Sequence, residues 1–145
     1  MNETIRKFGY PESAVGELDH WAILTRPQQA TLGCLVLAER SDATSLSGIS
    51  AEAAAELPLA CGLIERMLGG LWSPRRFNYL ALMMVDPNVH FHVIPRYDSD
   101  RSFDGVTFVD AGWPKLPDLG SAADLSAEQL TGLTAVLRSA WAQTQ

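Results

Sequence analysis

Only three histidines occur in this chain, and two of them, His90 and His92, stand two positions apart in the stretch PNVHFHVIPRY, residues 87–97. On an extended strand, residues two apart point to the same side, about 7 Å from one another along the chain. Asn88, His90 and His92 would then form one polar row, and Val89, Phe91 and Val93 an apolar face turned to a core. Three kinds of chemistry fit two imidazoles in such a row. They can be structural, hydrogen-bonded inside the fold. They can supply two ligands of a zinc site, which needs a third and usually a fourth; Asp86, Asp98 and His20 are the candidates in sequence, and no second His or Cys cluster supports them. Or one imidazole can act as a nucleophile on an electrophile such as phosphorus.

The elements around this row can be read from period and punctuation. The segment HWAIL (20–24) reads as a short strand, RPQQ (26–29) as a turn, and LGCLVLAE (32–39) as an almost continuous apolar strand suited to a covered sheet. Together they suggest a hairpin. Residues 50–70 read as a helix. Ser50 is its N-cap, Leu57, Cys61, Ile64 and Leu68 form its stripe, Gly69 and Gly70 are its stop signals, and Pro58 is an awkward insertion. FNYLALMMV (77–85) then reads as a strand, Asp86-Pro87 as a break, and VHFHVIP (89–95) as a second strand ended near Pro95. Residues 96–124 are polar and rich in Gly and Pro, without obvious structure. A final helix follows, with a Ser126/Gln129 capping box, a Leu125/Leu130 staple, and Leu130, Leu133, Leu137 and Trp141 on one face. Residues 1–17 read as an irregular or partly helical arm that Ile5 and Phe8 can dock.

At 145 residues the chain is expected to be a single domain, 1–145, with a real core. A net charge of −6 argues against binding nucleic acid, which needs clustered Lys and Arg, but leaves room for a small nucleotide. No apolar run is long enough to cross a membrane, and the first ten residues have no signal-peptide core. Cys34 and Cys61 lie in apolar surroundings without a CxxC pair, which reads as free thiols in a reducing cytoplasm.

NVHFHVIPRY resembles the active-site strand of the histidine triad family, whose pattern is His-apolar-His-apolar-His followed by two apolar residues and often Pro-Arg. The resemblance extends upstream through RFNYLALMMVDP and covers about residues 18–97. It implies an α+β fold with an antiparallel sheet, a helix packed on it and a C-terminal helix. It also implies a homodimer with sheets joined edge to edge, and a nucleotide bound at the polar face. In the implied chemistry, His90 attacks the α-phosphorus of a nucleoside phosphoramidate or dinucleoside polyphosphate. A nucleotidyl-His90 intermediate forms, and water releases the nucleoside monophosphate. His92 lies near phosphate and leaving group, and Asn78 matches a position that often contacts phosphate. Arg96 is a further candidate for phosphate. A neighbouring imidazolium could stabilise developing charge, so neither a metal nor another cofactor is implied.

The chain departs from the pattern at three places. Asn88 stands at the first triad position, where its amide could still orient a neighbour. Met83 and Met84 replace a Gly-Asn pair that can hold phosphate, and are expected to be core residues. AERSDA, which has only Ser41 or Asp42 nearby, lacks a histidine after the second hairpin strand. These departures leave a second expectation open: a catalytically weak nucleotide-binding or protein-interaction module. Trp113 is a candidate to cover the site or the dimer seam, and His20 is expected to be structural or exposed.

Overall fold

The computed structural model describes residues 1–145. Five strands form one antiparallel sheet: β1 (Ala14–Glu17), β2 (Trp21–Thr25), β3 (Leu35–Glu39), β4 (Arg76–Leu80) and β5 (His90–Arg96), in the order β1-β2-β3-β5-β4. Two long helices, α2 (Ala51–Trp72) and α3 (Ala127–Thr144), cover one face, and a short N-terminal helix, α1 (Glu3–Lys7), docks on the other. The α+β class, the β2–β3 hairpin and both long helices agree with the sequence reading.

The helices form for the reasons their sequences suggest. Ser50 Oγ accepts from the Ala53 N–H, and Ser126 and Gln129 complete a reciprocal capping box. α2 accommodates Pro58 and runs past Gly69 and Gly70 to Trp72, where Ser73 adopts the left-handed conformation that ends it. Its buried side is rotated from the expected stripe. Ala53, Ala60, Leu63, Ile64, Met67 and Leu68 are buried, whereas Leu57 and Cys61 lie at the margin. These residues pack with Leu133, Leu137 and Trp141 of α3 on Trp21, Ile23, Leu35, Leu37 and Val93.

β3 is buried along its whole length because it is the central strand, between β2 and β5. Its apolar run is therefore satisfied within one chain, as a strand suited to a covered sheet should be. The outer edge of β4 is unpaired. β5 continues through Pro95, which lies beyond the last β3 pairing at Leu35↔Val93, so no β3 partner needs its missing N–H.

Two elements were not expected. β1 extends the hairpin into a three-stranded meander. Within residues 96–124, β6 (Arg101–Phe103) and β7 (Val106–Phe108) form a hairpin turned by Asp104-Gly105, both at positive φ. Asp-Gly between extended residues is a strong two-residue turn signal.

β4 ends at Leu80 instead of running to residue 85. The chain leaves the sheet, Met83 takes a positive φ of 42°, and Leu82, Met84 and Val85 are exposed, Met84 by 83%. Met83 and Met84 therefore belong to a loop and not to the core.

Candidate active site

The register fixes the open face of the sheet. His90 pairs with Ala38 and His92 with Val36 on one side, and Leu80 pairs with His92 on the other. Side chains opposite one another share a face, so the two imidazoles stand among Ala22, Leu24, Val36, Ala38 and Leu80. Ile5 of α1, fully buried, packs on Ala22, Leu24, Val36 and Ala38. Burying such a side chain is worth about 1.5–3 kcal/mol. This seats Phe8 against both imidazoles, with ring centroids 5.6 Å from His90 and 5.9 Å from His92. The loop 82–86 closes the other side of a small cleft that holds both histidines.

The two rings lie 5.0 Å apart at 75° and carry opposite hydrogen-bond assignments. His90 is almost wholly buried, and its Nδ1 lies 2.7 Å from the backbone carbonyl of Asn88. A carbonyl only accepts, so Nδ1 carries a proton, and in the neutral ring Nε2 is the nitrogen with the lone pair. His92 is bonded the other way. Arg26 Nε donates to His92 Nδ1 at 3.1 Å. A guanidinium only donates, so Nδ1 is the bare nitrogen and Nε2 carries the proton. Burial, then the charges of Arg26 and His90, pull the His92 pKa down to about 4 against the opposing pull of Asp86. His92 is therefore neutral at physiological pH, and the positive charge expected of an imidazolium sits on Arg26 instead.

Asn88 is not part of a polar row. The strand begins at His90, and the Asn88 side chain points to the N-terminal arm. Its Oδ1 accepts from Thr4 Oγ1 at 2.9 Å and Thr4 N–H at 3.3 Å, and its Nδ2 donates to the Asp42 carbonyl at 3.2 Å. Position 88 reaches His90 through its backbone carbonyl alone. Asp42 thus enters through its backbone, while the Ser41 hydroxyl and N–H are both taken up by Glu39.

Arg96 and Asn78 are drawn away from the histidines. Arg96 shares their face but is 3% exposed and forms a forked pair with Asp110, Nε–Oδ2 at 2.7 Å and Nη2–Oδ1 at 3.0 Å. Its Nη1 donates to Asn78 Oδ1 and to the Lys115 carbonyl. A guanidinium so occupied has little left for phosphate, so its placement contradicts the phosphate reading. It clamps the 110–115 segment to the sheet. Asn78 is held as part of that clamp and lines a groove beside the β4 edge with Trp113 and Lys115, apart from the histidine cleft. Trp113 covers that groove and not the histidines. His20, at the start of β2, also lies outside the site; its backbone N–H donates to Glu56. Nowhere do three His, Cys, Asp or Glu side chains converge as a metal site would require.

The residue that sequence reasoning missed is Arg26, read only as part of a turn. The β2–β3 connection is a built structure. Gln29, fully buried, donates to the Arg26 and Cys34 carbonyls and accepts from the Gly33 and Cys34 N–H groups. Thr31 Oγ1 donates to the Pro95 carbonyl of β5. Gly33, at φ 93°, supplies a conformation that favours glycine.

No protein-family model matches the chain, and no curated protein matches it. Solved structures do match. A histidine triad protein from Bradyrhizobium japonicum superposes with a TM-score of 0.69 at 20% identity, over 96% of this chain and 95% of that one. A hypothetical histidine triad nucleotide-binding protein from Sulfolobus tokodaii gives 0.70 at 15% identity, over 97% and 90%. The chain has the histidine triad fold. A zinc-bound histidine triad family protein from Mycobacterium smegmatis matches as well, with a TM-score of 0.62 at 18% identity over 96% and 90%. In this histidine triad fold the antiparallel sheet and the two covering helices agree with what the sequence resemblance implied, and no helix is long and apolar enough to cross a membrane.

Proposed function

We propose that the chain is a nucleotide-binding histidine triad protein that works as a hydrolase or nucleotidyl transferase, with His90 as its nucleophile. The observation that carries this reading is the pair of opposed ring contacts: His90 Nδ1 on a carbonyl, which leaves Nε2 as the bare nitrogen of the neutral ring, and His92 Nδ1 on a donor, which puts the proton on Nε2. In the first step His90 Nε2 forms a bond to the α-phosphorus of a nucleoside phosphoramidate or dinucleoside polyphosphate. The bond from phosphorus to the leaving group breaks, and that group departs with the bonding pair, hydrogen-bonded by His92 Nε2–H; an amine leaving group takes up a proton from solvent as it goes. The Asn88 carbonyl steadies the proton on His90 Nδ1 as the ring becomes cationic. In the second step a water oxygen bonds to phosphorus and gives up a proton to solvent, the N–P bond breaks with its electron pair returning to His90 Nε2, and nucleoside monophosphate leaves. The chain's own groups supply positioning and charge, which is most of what phosphoryl chemistry asks of a protein. The fold's likeness to nucleotide-binding proteins supports the substrate class, and the unpaired β4 edge supports assembly as a homodimer.

Intact-mass spectrometry after mixing the protein with adenosine phosphoramidate or a dinucleoside polyphosphate tests the reading. The expected result is an adenylyl adduct in wild type that is absent in His90→Ala, together with nucleoside monophosphate release that His90→Ala abolishes. Undiminished turnover in His90→Ala would remove His90 from the mechanism. Tight nucleotide binding with neither adduct nor turnover in wild type would favour a binding module, the reading that Asn88 at the first triad position motivates.

A further inference from the structure

Arg26 is nine-tenths buried, yet none of the three ion pairs in the chain involves it. Removing an ion from water costs several kcal/mol, so an internal guanidinium without a carboxylate partner calls for an explanation. Its surroundings hold it firmly. Its N–H donates to the Cys34 carbonyl at 3.0 Å, its own carbonyl is gripped by Gln29, and Nη1 donates to the Gln28 carbonyl at 2.6 Å. Nε is aimed at His92 Nδ1. Two of the five N–H donors of a guanidinium are thus used; the other three have no acceptor in the chain, and Nη2 is left at the solvent margin, where an anion could meet it. Burial lowers its pKa below the ordinary guanidinium value, which still leaves a cation at neutral pH.

We propose that Arg26 is a positioning residue of this site: it locks His92 as an Nε2–H donor and supplies the fixed positive charge that an anionic phosphoryl substrate needs. This rests on the function proposed above. The logic follows from what each group can do. A histidine without a partner exchanges its proton between two nitrogens and offers the donor only part of the time. A donor fixed on Nδ1 removes that choice. Burial first, and then the same cation and the neighbouring His90 ring, disfavour protonation of His92 against the opposing pull of Asp86. His92 then stays a neutral donor across the neutral range, and the charge of the site rests on a side chain that does not titrate there. A lysine could carry the charge but not the directed Nε–H.

Side-chain ¹⁵N NMR of the full chain, without nucleotide, tests this directly. Wild-type His92 is expected to show an unprotonated Nδ1, a protonated Nε2 and no titration between pH 6 and 8. In Arg26→Met the tautomers should mix and the midpoint should rise by more than one pH unit. Arg26→Gln, which retains an N–H donor, should keep the tautomer while the midpoint rises. Arg26→Lys should keep the low midpoint and lose the tautomer. With nucleotide, Arg26→Met is expected to lose about ten- to hundredfold in kcat, with a smaller change in KM. A wild-type His92 protonated on Nδ1 would overturn the proposal without any variant, as would a folded Arg26→Met with the wild-type His92 spectrum and midpoint. Absent turnover in wild type would count against the proposed function, and the spectra would still decide the role of Arg26.

Discussion

Replacing Asn88 by alanine separates two roles that a triad position could have. If the side chain took part in catalysis, the rate would collapse while the fold survived. The structure leads to the opposite expectation. Alanine keeps the backbone carbonyl that accepts from His90 Nδ1 and removes three side-chain hydrogen bonds, two from Thr4 and one to Asp42. Each is worth about 0.5–1.5 kcal/mol net, so the loss is about 3 kcal/mol. For a chain of this size that corresponds to a fall of roughly 10 °C in Tm. Because the bonds join α1 to the start of β5, the loss should concentrate in the N-terminal arm, and amide exchange of residues 3–8 should quicken before that of the sheet. The assay pairs a thermal melt with initial rates at a temperature where the variant is folded. The expected outcome is a lower Tm and a kcat within about tenfold of wild type. A kcat reduced a hundredfold with Tm unchanged would refute the reasoning, because it would mean the amide acts on the reaction and not on the arm.

Asn88→His should likewise change the rate by less than about tenfold, since the new ring would replace the Thr4 contact and not join His90 and His92 in a row; rates compared at equal folded fraction check it. Arg96→Gln breaks a buried pair, a change that typically costs about 3–5 kcal/mol, and urea melts at neutral pH should show it without a matching loss of initial rate. Burial works to raise the Asp110 carboxyl, but the bonds from Arg96 and the Tyr97 N–H outweigh it and hold its pKa low. That contribution is fully present above the unfolded carboxylate pKa and is lost as pH falls through the lower folded value, so the advantage of wild type over Arg96→Gln should shrink below about pH 4. Phe8→Ala opens the histidine cleft to water, and the His92 midpoint should rise from about 4 toward the ordinary histidine value, as followed by NMR. Gly16→Ala would place a Cβ 2.2 Å from Trp141 Nε1, forcing a buried indole to move; a cost of about 1–3 kcal/mol and altered tryptophan fluorescence are expected.

What could be read in the sequence was whatever depends on local period and capping. The α3 box, the α2 cap, the β2–β3 pair and the placement of His90 and His92 on one face all follow from spacings of two, three and four residues. Period also misled where it was carried past the end of an element. Counting by twos put Asn88 in line with His90, but β5 starts at His90, so the alternation no longer governs the residue before it. The same extrapolation drew Met83 and Met84 into a strand that the chain leaves after Leu80. Arg96 shows a different failure. Its face was legible, but its partner Asp110 is brought back by the β6–β7 hairpin, and only tertiary structure shows that the guanidinium is already occupied.

Arg26 and Arg96 together explain how a degenerate-looking triad can still be an ordered site. Both guanidiniums are buried, yet one is neutralised by a carboxylate and spends its donors on a clamp, while the other has no counter-ion and donates to an imidazole. Position 88 needs no imidazole to hold His90, because the backbone does so. Nor does His92 need to be protonated for the site to be cationic. On the proposed mechanism the first triad histidine would be dispensable for two separate reasons, orientation and charge, each supplied by a group that a histidine pattern does not contain.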